Sequence, residues 1–263
     1  MENMLESTQK PRVVTVFSSK SGTGKTTVAA LLAWKLAKQG ESVLIVDLDD
    51  QSKISRIFEV EKPSSTIADL FPKENGAPAK TLDEVIVPTG CDNVWIAPSG
   101  PSLLDLGAAD IPETMLRDAI LGMERMFDCI VIDCPPTTGS LNAGAIRAIE
   151  AGSEKSTVVV PTHATATDMA AAAMKLKMIR HDNPADLVSL AESLSFVEET
   201  LGRSEGQLPL APYKVVTNRP GPVRPGGCVC GAKIPRNSEL EALCFLNLKP
   251  KNIDYAALSE ILG

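Results

Sequence analysis

The chain of 263 residues is poor in aromatic side chains, which make up 4% of it. It also lacks any run approaching the roughly 20 apolar residues that span a bilayer. Its polar start, MENMLESTQKPR, is unlike a signal peptide, and its last residues, IDYAALSEILG, lack the basic polar face of a membrane-surface helix. We therefore expect a cytoplasmic protein without membrane contact, whose core is built from Leu, Ile, Val and Ala.

An excess of positive charge is also absent, because 26 Lys and Arg stand against 33 Asp and Glu. This excludes a surface that is basic all over, although a local basic patch stays open. The six cysteines are not spaced as a disulfide framework. Cys228 and Cys230 lie in the stretch GGCVCG, which is either a metal or iron–sulfur ligand pair or an incidental pair. Zinc ligand pairs more often have two residues between them, which favours the incidental pair.

Apolar runs alternate with helical patterns along most of the chain. This alternation predicts an α/β fold, in which a mostly parallel β-sheet carries helices on both faces. We expect a flexible N-terminal segment over residues 1–11 and a single domain over residues 12–263. The predicted strands are 12–17, 42–46, 94–97, 129–132, 157–160 and 213–217. The predicted helices are 26–39, 112–126, 141–151, 168–181 and 184–201.

The segment SKSGTGKTT, residues 19–27, lies between the first predicted strand and the first helix. Gly22 and Gly24 let the backbone curl so that successive N–H groups point at phosphate oxygens, and the helix adds its positive end. Lys25 would reach the β- and γ-phosphates, and Thr26 would place its hydroxyl on Mg²⁺. The sequence therefore predicts a P-loop NTPase that binds ATP and Mg²⁺. The loop residues predicted to bind the nucleotide are Ser21, Gly22, Thr23, Gly24, Lys25, Thr26 and Thr27.

Three acidic residues follow predicted strands. Asp47 and Asp49 come after the second strand, in VDLDDQSKIS, and Asp133 ends the apolar run CIVID. Because acids at the carboxyl ends of parallel strands face the ligand crevice, we predict that Asp47 and Asp133 hold Mg²⁺ together with Thr26. The alternative is that these are ordinary solvated acids at strand ends.

The phosphate loop departs from the general pattern, because Ser19 stands where that pattern has Gly. Lys20 followed by SGTGKTT resembles the deviant Walker motif of the ParA/MinD family, usually written KGGxGKT, with Ser21 in place of a Gly. The resemblance implies that Lys20 reaches the partner's phosphates across a nucleotide-sandwich dimer. VDLDDQ is similar to the family's DxDPQ, which implies that Asp49 orients or activates the attacking water. Asp50 stands where the family often has Pro.

Two later segments extend the resemblance. VVTNR resembles the family's base-reading strand, which implies that Asn218, next to Arg219, contacts the adenine. KIPRNSELEAL is similar to the family's IPRN segment, which implies that Pro235 and Arg236 lie beside the base. Taken alone, Asn-Arg-Pro is equally well explained as a turn. The chain departs from the family in having a short loop between these segments and an extra predicted helix, residues 184–201, before the first of them.

The resemblance implies a ParA-like ATPase with weak intrinsic activity. ATP would drive homodimerisation, the dimer would bind DNA without sequence preference, and a ParB-like or adaptor protein would stimulate hydrolysis. The cargo would be a plasmid, a chromosome or a protein assembly, with the protein itself nucleoid-associated. Basic residues available for DNA, each more often a solvated surface residue, are Lys175, Lys177, Arg180, Arg203, Lys214, Arg224, Lys233, Lys249 and Lys251.

Three alternatives remain open. A MinD-like spatial regulator would need the membrane helix that the last residues do not predict. An iron–sulfur scaffold or carrier ATPase would use Cys228 and Cys230 as ligands. The third alternative is a nucleotide-binding switch that hydrolyses its nucleotide very slowly. Only about ten residues precede the first predicted strand, so we expect no N-terminal helix-turn-helix and no repressor role.

Overall fold

A computed structural model describes residues 10–71, 79–106, 111–162, 184–203, 213–218, 233–234 and 256–262. Its strands form one sheet in the order β3-β4-β2-β5-β1-β6-β7-β8. All neighbouring pairs are parallel except β3 and β4. The strands are β1 Arg12–Val16, β2 Val43–Asp47, β3 Val87–Pro88, β4 Val94–Ala97, β5 Cys129–Asp133, β6 Thr157–Thr162, β7 Tyr213–Asn218 and β8 Lys233–Ile234.

The helices cover both faces of this sheet. They are α1 Lys25–Lys38, α2 Lys53–Ile57, α3 Leu82–Val85, α4 Leu103–Leu106, α5 Met115–Leu121, α6 Ser140–Arg147, α7 Pro184–Gly202 and α8 Ala256–Leu262, with 3₁₀ turns at Ile67–Leu70 and Ala148–Ala151. Within the described ranges, none of these helices is long and apolar enough to cross a membrane.

The central strands are buried along their whole length, which explains their continuous apolar sequences. Alternate residues face opposite sides of the sheet. Val13 and Leu44 belong to a core that also contains side chains of α5, α6 and α7. Val14 and Ile45 belong to a second core with side chains of α1 and α8. The predicted parallel α/β architecture with two covered faces is therefore confirmed.

Most predicted elements are present with small shifts at their ends. Helix α1 ends as predicted before Gly40, which has a φ of +86°. The predicted helix over 184–201 is observed as α7. The predicted helix over 112–126 is shorter, since α5 ends at Gly122, which acts as its C-cap. The predicted helix over 168–181 and the pair Cys228 and Cys230 lie outside the described residues.

Candidate nucleotide and magnesium site

The candidate site lies where the carboxyl ends of β1, β2 and β5 meet. These three strands are neighbours and parallel, so their last residues reach the same edge of the sheet. Val16 and Asp47 are both register partners of Asp133. The phosphate loop leaves β1 at this edge and enters α1. The topology therefore brings together the loop and the acids that the sequence placed far apart.

The loop has the backbone that its glycines predict. Gly22 has a φ of +79° and Gly24 a φ of +94°, in the left-handed region that side chains rarely adopt. Gly24 is the N-cap of α1, so the first N–H groups of that helix face the loop. Among the described residues, the non-glycine positions with positive φ do not include Ser21. A serine at this position is therefore compatible with the loop backbone.

The amino group of Lys25 lies inside the loop. Its Nζ donates to the backbone oxygen of Lys20 at 3.0 Å, and Thr23 Oγ1 donates to the same oxygen at 3.4 Å. Burial lowers the pKa of Lys25, and the nearby charges of Asp133 and Asp49 oppose that shift. An ammonium group has three donors, so the bond to Lys20 leaves others for phosphate oxygens.

Asp133 is the most unusual acid of the site. Its side chain is completely buried, and neither carboxylate oxygen has a hydrogen-bond partner within the described residues. Burial and then the neighbouring charge of Asp47 raise its pKa well above the usual range, while the nearby Thr26 hydroxyl opposes the shift. Such a group is costly unless a cation compensates it. Its environment therefore fits a Mg²⁺ ligand, held with the Thr26 hydroxyl.

The described residues contain no group of three or more His, Cys, Asp or Glu side chains that could hold a metal by themselves. Mg²⁺ is usually bound by one or two protein groups together with substrate phosphates and water. Asp133 and Thr26 would hold the ion, and the ion would neutralise charge on the phosphates.

Asp47, also predicted as a metal ligand, accepts hydrogen bonds from other residues of the protein. Its Oδ1 accepts the Asp49 N–H at 3.1 Å, and its Oδ2 accepts the Ser55 hydroxyl at 2.6 Å and the Ser55 N–H at 3.2 Å. Burial raises the pKa of Asp47 to about 6, against the effect of these hydrogen bonds. The carboxylate thereby ties the end of β2 to α2. Direct metal binding by Asp47 stays a prediction.

The loop that carries Asp49 is fixed by serines that sequence reasoning missed. Asp49 is buried, and its Oδ1 accepts the Gln51 N–H at 3.0 Å. The Ser99 hydroxyl donates to the backbone oxygen of Asp49 at 2.6 Å and lies 2.7 Å from the hydroxyl of Ser52. Ser52 has a φ of +50°. Because Ser99 follows a different strand, no local pattern could have identified it.

The segment after β5 is fixed by another residue that the sequence did not indicate. Asn142 on α6 is completely buried, and its Nδ2 donates to the backbone oxygens of Pro135 and Thr137 at 3.2 and 2.5 Å. Its Oδ1 has no partner in the part of the chain that is described. The start of α6 therefore holds the segment of residues 134–139 that follows Asp133.

For the remaining predicted residues, the structure describes only part of the surroundings. Lys20 is half-buried at the loop entrance, beside the exposed Ser21. Asn218 ends β7 opposite Ile234 of β8, so the two segments predicted to surround the base are neighbouring strands. Arg219, Pro235 and Arg236 lie outside the described residues, and their base contacts stay predictions.

Comparison with known proteins shows which proteins this chain resembles. A family described as an AAA domain matches residues 11–183, about two thirds of the chain. The cell division protein PomZ of Myxococcus xanthus is 33% identical over 135 residues, which cover 49% of this chain and 41% of that protein. The chromosome partitioning protein ParA of the same organism is 31% identical over 143 residues, covering 53% and 50%.

The fold also matches a solved structure over nearly its full length. A plasmid partition protein of Borrelia burgdorferi B31 bound to AMPPNP has a TM-score of 0.71 and 21% identity, covering 96% of this chain and 97% of that one. The two curated relatives, in contrast, are matched over half of their own length or less. The family match over residues 11–183 includes the phosphate loop and Asp133.

Proposed function

Since the chain belongs to the ParA/MinD family of P-loop ATPases, we propose that it is an ATP-driven switch that positions a large cargo. It binds ATP with Mg²⁺, dimerises in the ATP state, and returns to the monomer after hydrolysis. The ATP dimer binds DNA without sequence preference, and a ParB-like or adaptor protein stimulates its weak intrinsic hydrolysis. The relatives named for chromosome partitioning and cell division support this proposal.

The observation that carries the proposal is the buried, unpartnered carboxylate of Asp133 beside the phosphate loop. A site with this acid, the Thr26 hydroxyl and the Lys25 amino group supplies what a magnesium–triphosphate complex needs. A loop that served only as a turn would not require a buried charge at this position, because such a charge costs stability.

Each residue has a role in the proposed reaction. Lys25 neutralises the β- and γ-phosphates, and Asp133 with Thr26 holds the magnesium ion. Asp49 orients the attacking water from the loop that Ser99 fixes. Lys20, half-buried at the loop entrance, adds a positive charge from the partner subunit, so hydrolysis depends on the dimer. Asn218, Arg219, Pro235 and Arg236 select the adenine base.

A plasmid gel-shift assay with Mg-ATP, Mg-ADP or no nucleotide tests this function. We expect a shift with ATP alone, of equal strength on two unrelated DNA sequences, that weakens as salt rises because counterions are released on binding. The variant Lys25→Ala should give no shift in any condition, whereas the exposed control Lys38→Ala should behave as wild type. DNA binding that ignores both nucleotide and salt would reject the proposal.

A further inference from the structure

Ser19, where the general phosphate-loop pattern has Gly, is bonded to a distant helix. Its backbone N–H donates to the hydroxyl of Ser193 at 3.0 Å, and the two hydroxyl oxygens are also 3.0 Å apart. Ser193 lies on α7 and is completely buried. Two groups of one residue therefore meet the same buried hydroxyl, across 174 positions of sequence.

Helix α7 is itself held in place between this contact and its C-terminal end. Phe196 packs against Phe17, the residue after β1, with ring centroids 5.4 Å apart. At the end of the helix, Arg203 forms an ion pair with Glu113 at 2.9 Å. Ser193 therefore lies on a helix that is packed against the sheet, and the start of the phosphate loop is hydrogen-bonded to it.

Ser19 directly precedes Lys20, whose backbone oxygen accepts a hydrogen bond from Lys25. The backbone oxygen of Lys20 accepts the Lys25 amino group and the Thr23 hydroxyl. Because the intervening peptide bond is planar, only the φ and ψ angles of Ser19 and Lys20 separate this oxygen from the Ser19 N–H, so a rotation at Ser19 would displace it. The position of the Lys25 amino group therefore depends, through Lys20, on the bond to Ser193.

We propose that Ser193 is a positioning residue for the phosphate loop. By holding the N–H and the hydroxyl of Ser19, it restricts the backbone that leads to Lys20, so that the Lys20 carbonyl directs the Lys25 amino group toward the phosphates. A change in the docking of α7 would then alter nucleotide affinity. This inference rests on the proposed function, because it assumes that the loop binds a nucleotide.

The test compares Ser193→Ala with Ser195→Ala, an exposed control on the same helix. Two quantities are measured: amide hydrogen exchange of the peptide containing Ser19, and the Kd of a fluorescent ATP analogue. Loss of one buried hydrogen bond predicts faster exchange at residues 18–21 and about three- to tenfold weaker binding in Ser193→Ala alone. Ser193→Thr, which keeps the hydroxyl, should restore both exchange and affinity.

If Ser193→Ala does not fold, Ser19→Ala provides a second test, because Ser19 is only half-buried and its substitution disturbs the core less. It removes one of the two contacts, and we expect roughly two- to threefold weaker binding. Unchanged affinity and exchange in folded Ser193→Ala or Ser19→Ala would overturn the inference. If wild type binds no ATP analogue, the proposed function fails instead, while the exchange of Ser19 still reports the contact with Ser193.

Discussion

At the scale of single residues, Asp133 shows how a binding site costs stability. A buried carboxyl without a hydrogen-bond partner favours its protonated form, and ionising it opposes folding. Natural proteins keep such groups where function needs them. For Asp133 the proposed function is to bind a cation, whose charge would compensate the carboxylate.

We therefore expect Asp133→Asn to stabilise the protein without magnesium, by about 1–3 kcal/mol in the free energy of unfolding. Urea denaturation with EDTA measures this value, and Asp92→Asn, at an exposed position, is the control. Because the pKa of Asp133 is raised in the fold, the stability it contributes is present below its unfolded pKa and lost as pH rises. The advantage of Asn should therefore grow with pH.

The same variant should lose the extra stability that Mg-ATP gives to the wild type, since the ion would have no carboxylate ligand. A thermal melt with and without Mg-ATP measures this difference. If Asp133→Asn destabilises the metal-free protein and still gains from Mg-ATP, Asp133 is a structural residue and the magnesium assignment is wrong.

In the proposed function, Lys25 binds the phosphates. We expect Lys25→Ala to weaken ATP binding by roughly 100-fold, because a charge-assisted hydrogen bond to phosphate is lost. Titration calorimetry with Mg-ATP measures the affinity, with Lys38→Ala on the same helix as the control. Binding within threefold of wild type would show that the nucleotide does not occupy this loop.

We expect a substitution of Asp49 to separate ATP binding from turnover. In Asp49→Ala the attacking water loses its orienting carboxylate, so hydrolysis should fall by roughly 100-fold while ATP affinity changes little. Phosphate release and equilibrium binding of ATP are measured on the same preparation. A variant that hydrolyses ATP at the wild-type rate would remove Asp49 from the proposed mechanism.

At the scale of elements, the loops around the site are held by side chains from other elements. Ser99 fixes the loop after β2, and Asn142 fixes the segment after β5. Such bonds keep a loop ordered while leaving it free to rearrange when a new partner competes for them. Both loops follow strands that end at the site, so a rearrangement of either loop would take place close to the bound phosphates.

Asn142→Asp tests this for the segment after β5. It is nearly isosteric but replaces the donor that faces the oxygens of Pro135 and Thr137 with an acceptor. We expect faster amide exchange at residues 134 and 137–139, since residues 135 and 136 are prolines without an N–H. We also expect slower ATP hydrolysis, with less change in ATP affinity. Asn93→Asp, at an exposed position, makes the same change elsewhere. Equal exchange in both variants would contradict the role of Asn142.

Local sequence predicts most elements but few of these contacts. The apolar periodicity and Gly40 locate α1, and the β-branched runs locate the strands, since these signals act within a few residues. The length of α5 was overestimated because apolar residues continue past Gly122, where the helix ends. Ser99, Asn142 and Ser193 were missed because each acts on a segment that is remote in sequence or has no motif.

At the scale of the whole molecule, the parallel sheet creates the site. Once the strands are parallel, their carboxyl ends share one edge, so the sequence alone could predict that Asp47 and Asp133 lie near the phosphate loop. The order of the strands was not predictable, because it depends on which strand pairs with which across long connections. That order places β1 between β5 and β6 and so sets the loop beside Asp133.

In the proposed function, ATP and not ADP joins two copies of this chain, and Lys20 reaches the partner's phosphates. Sedimentation equilibrium with Mg-AMPPNP, Mg-ADP or no nucleotide measures the mass directly. We predict a dimer of wild type with Mg-AMPPNP, monomers in the other two conditions, and a monomer of Lys20→Ala in all three. A mass that is the same in every condition, or a Lys20→Ala variant that dimerises as wild type does, would contradict the account.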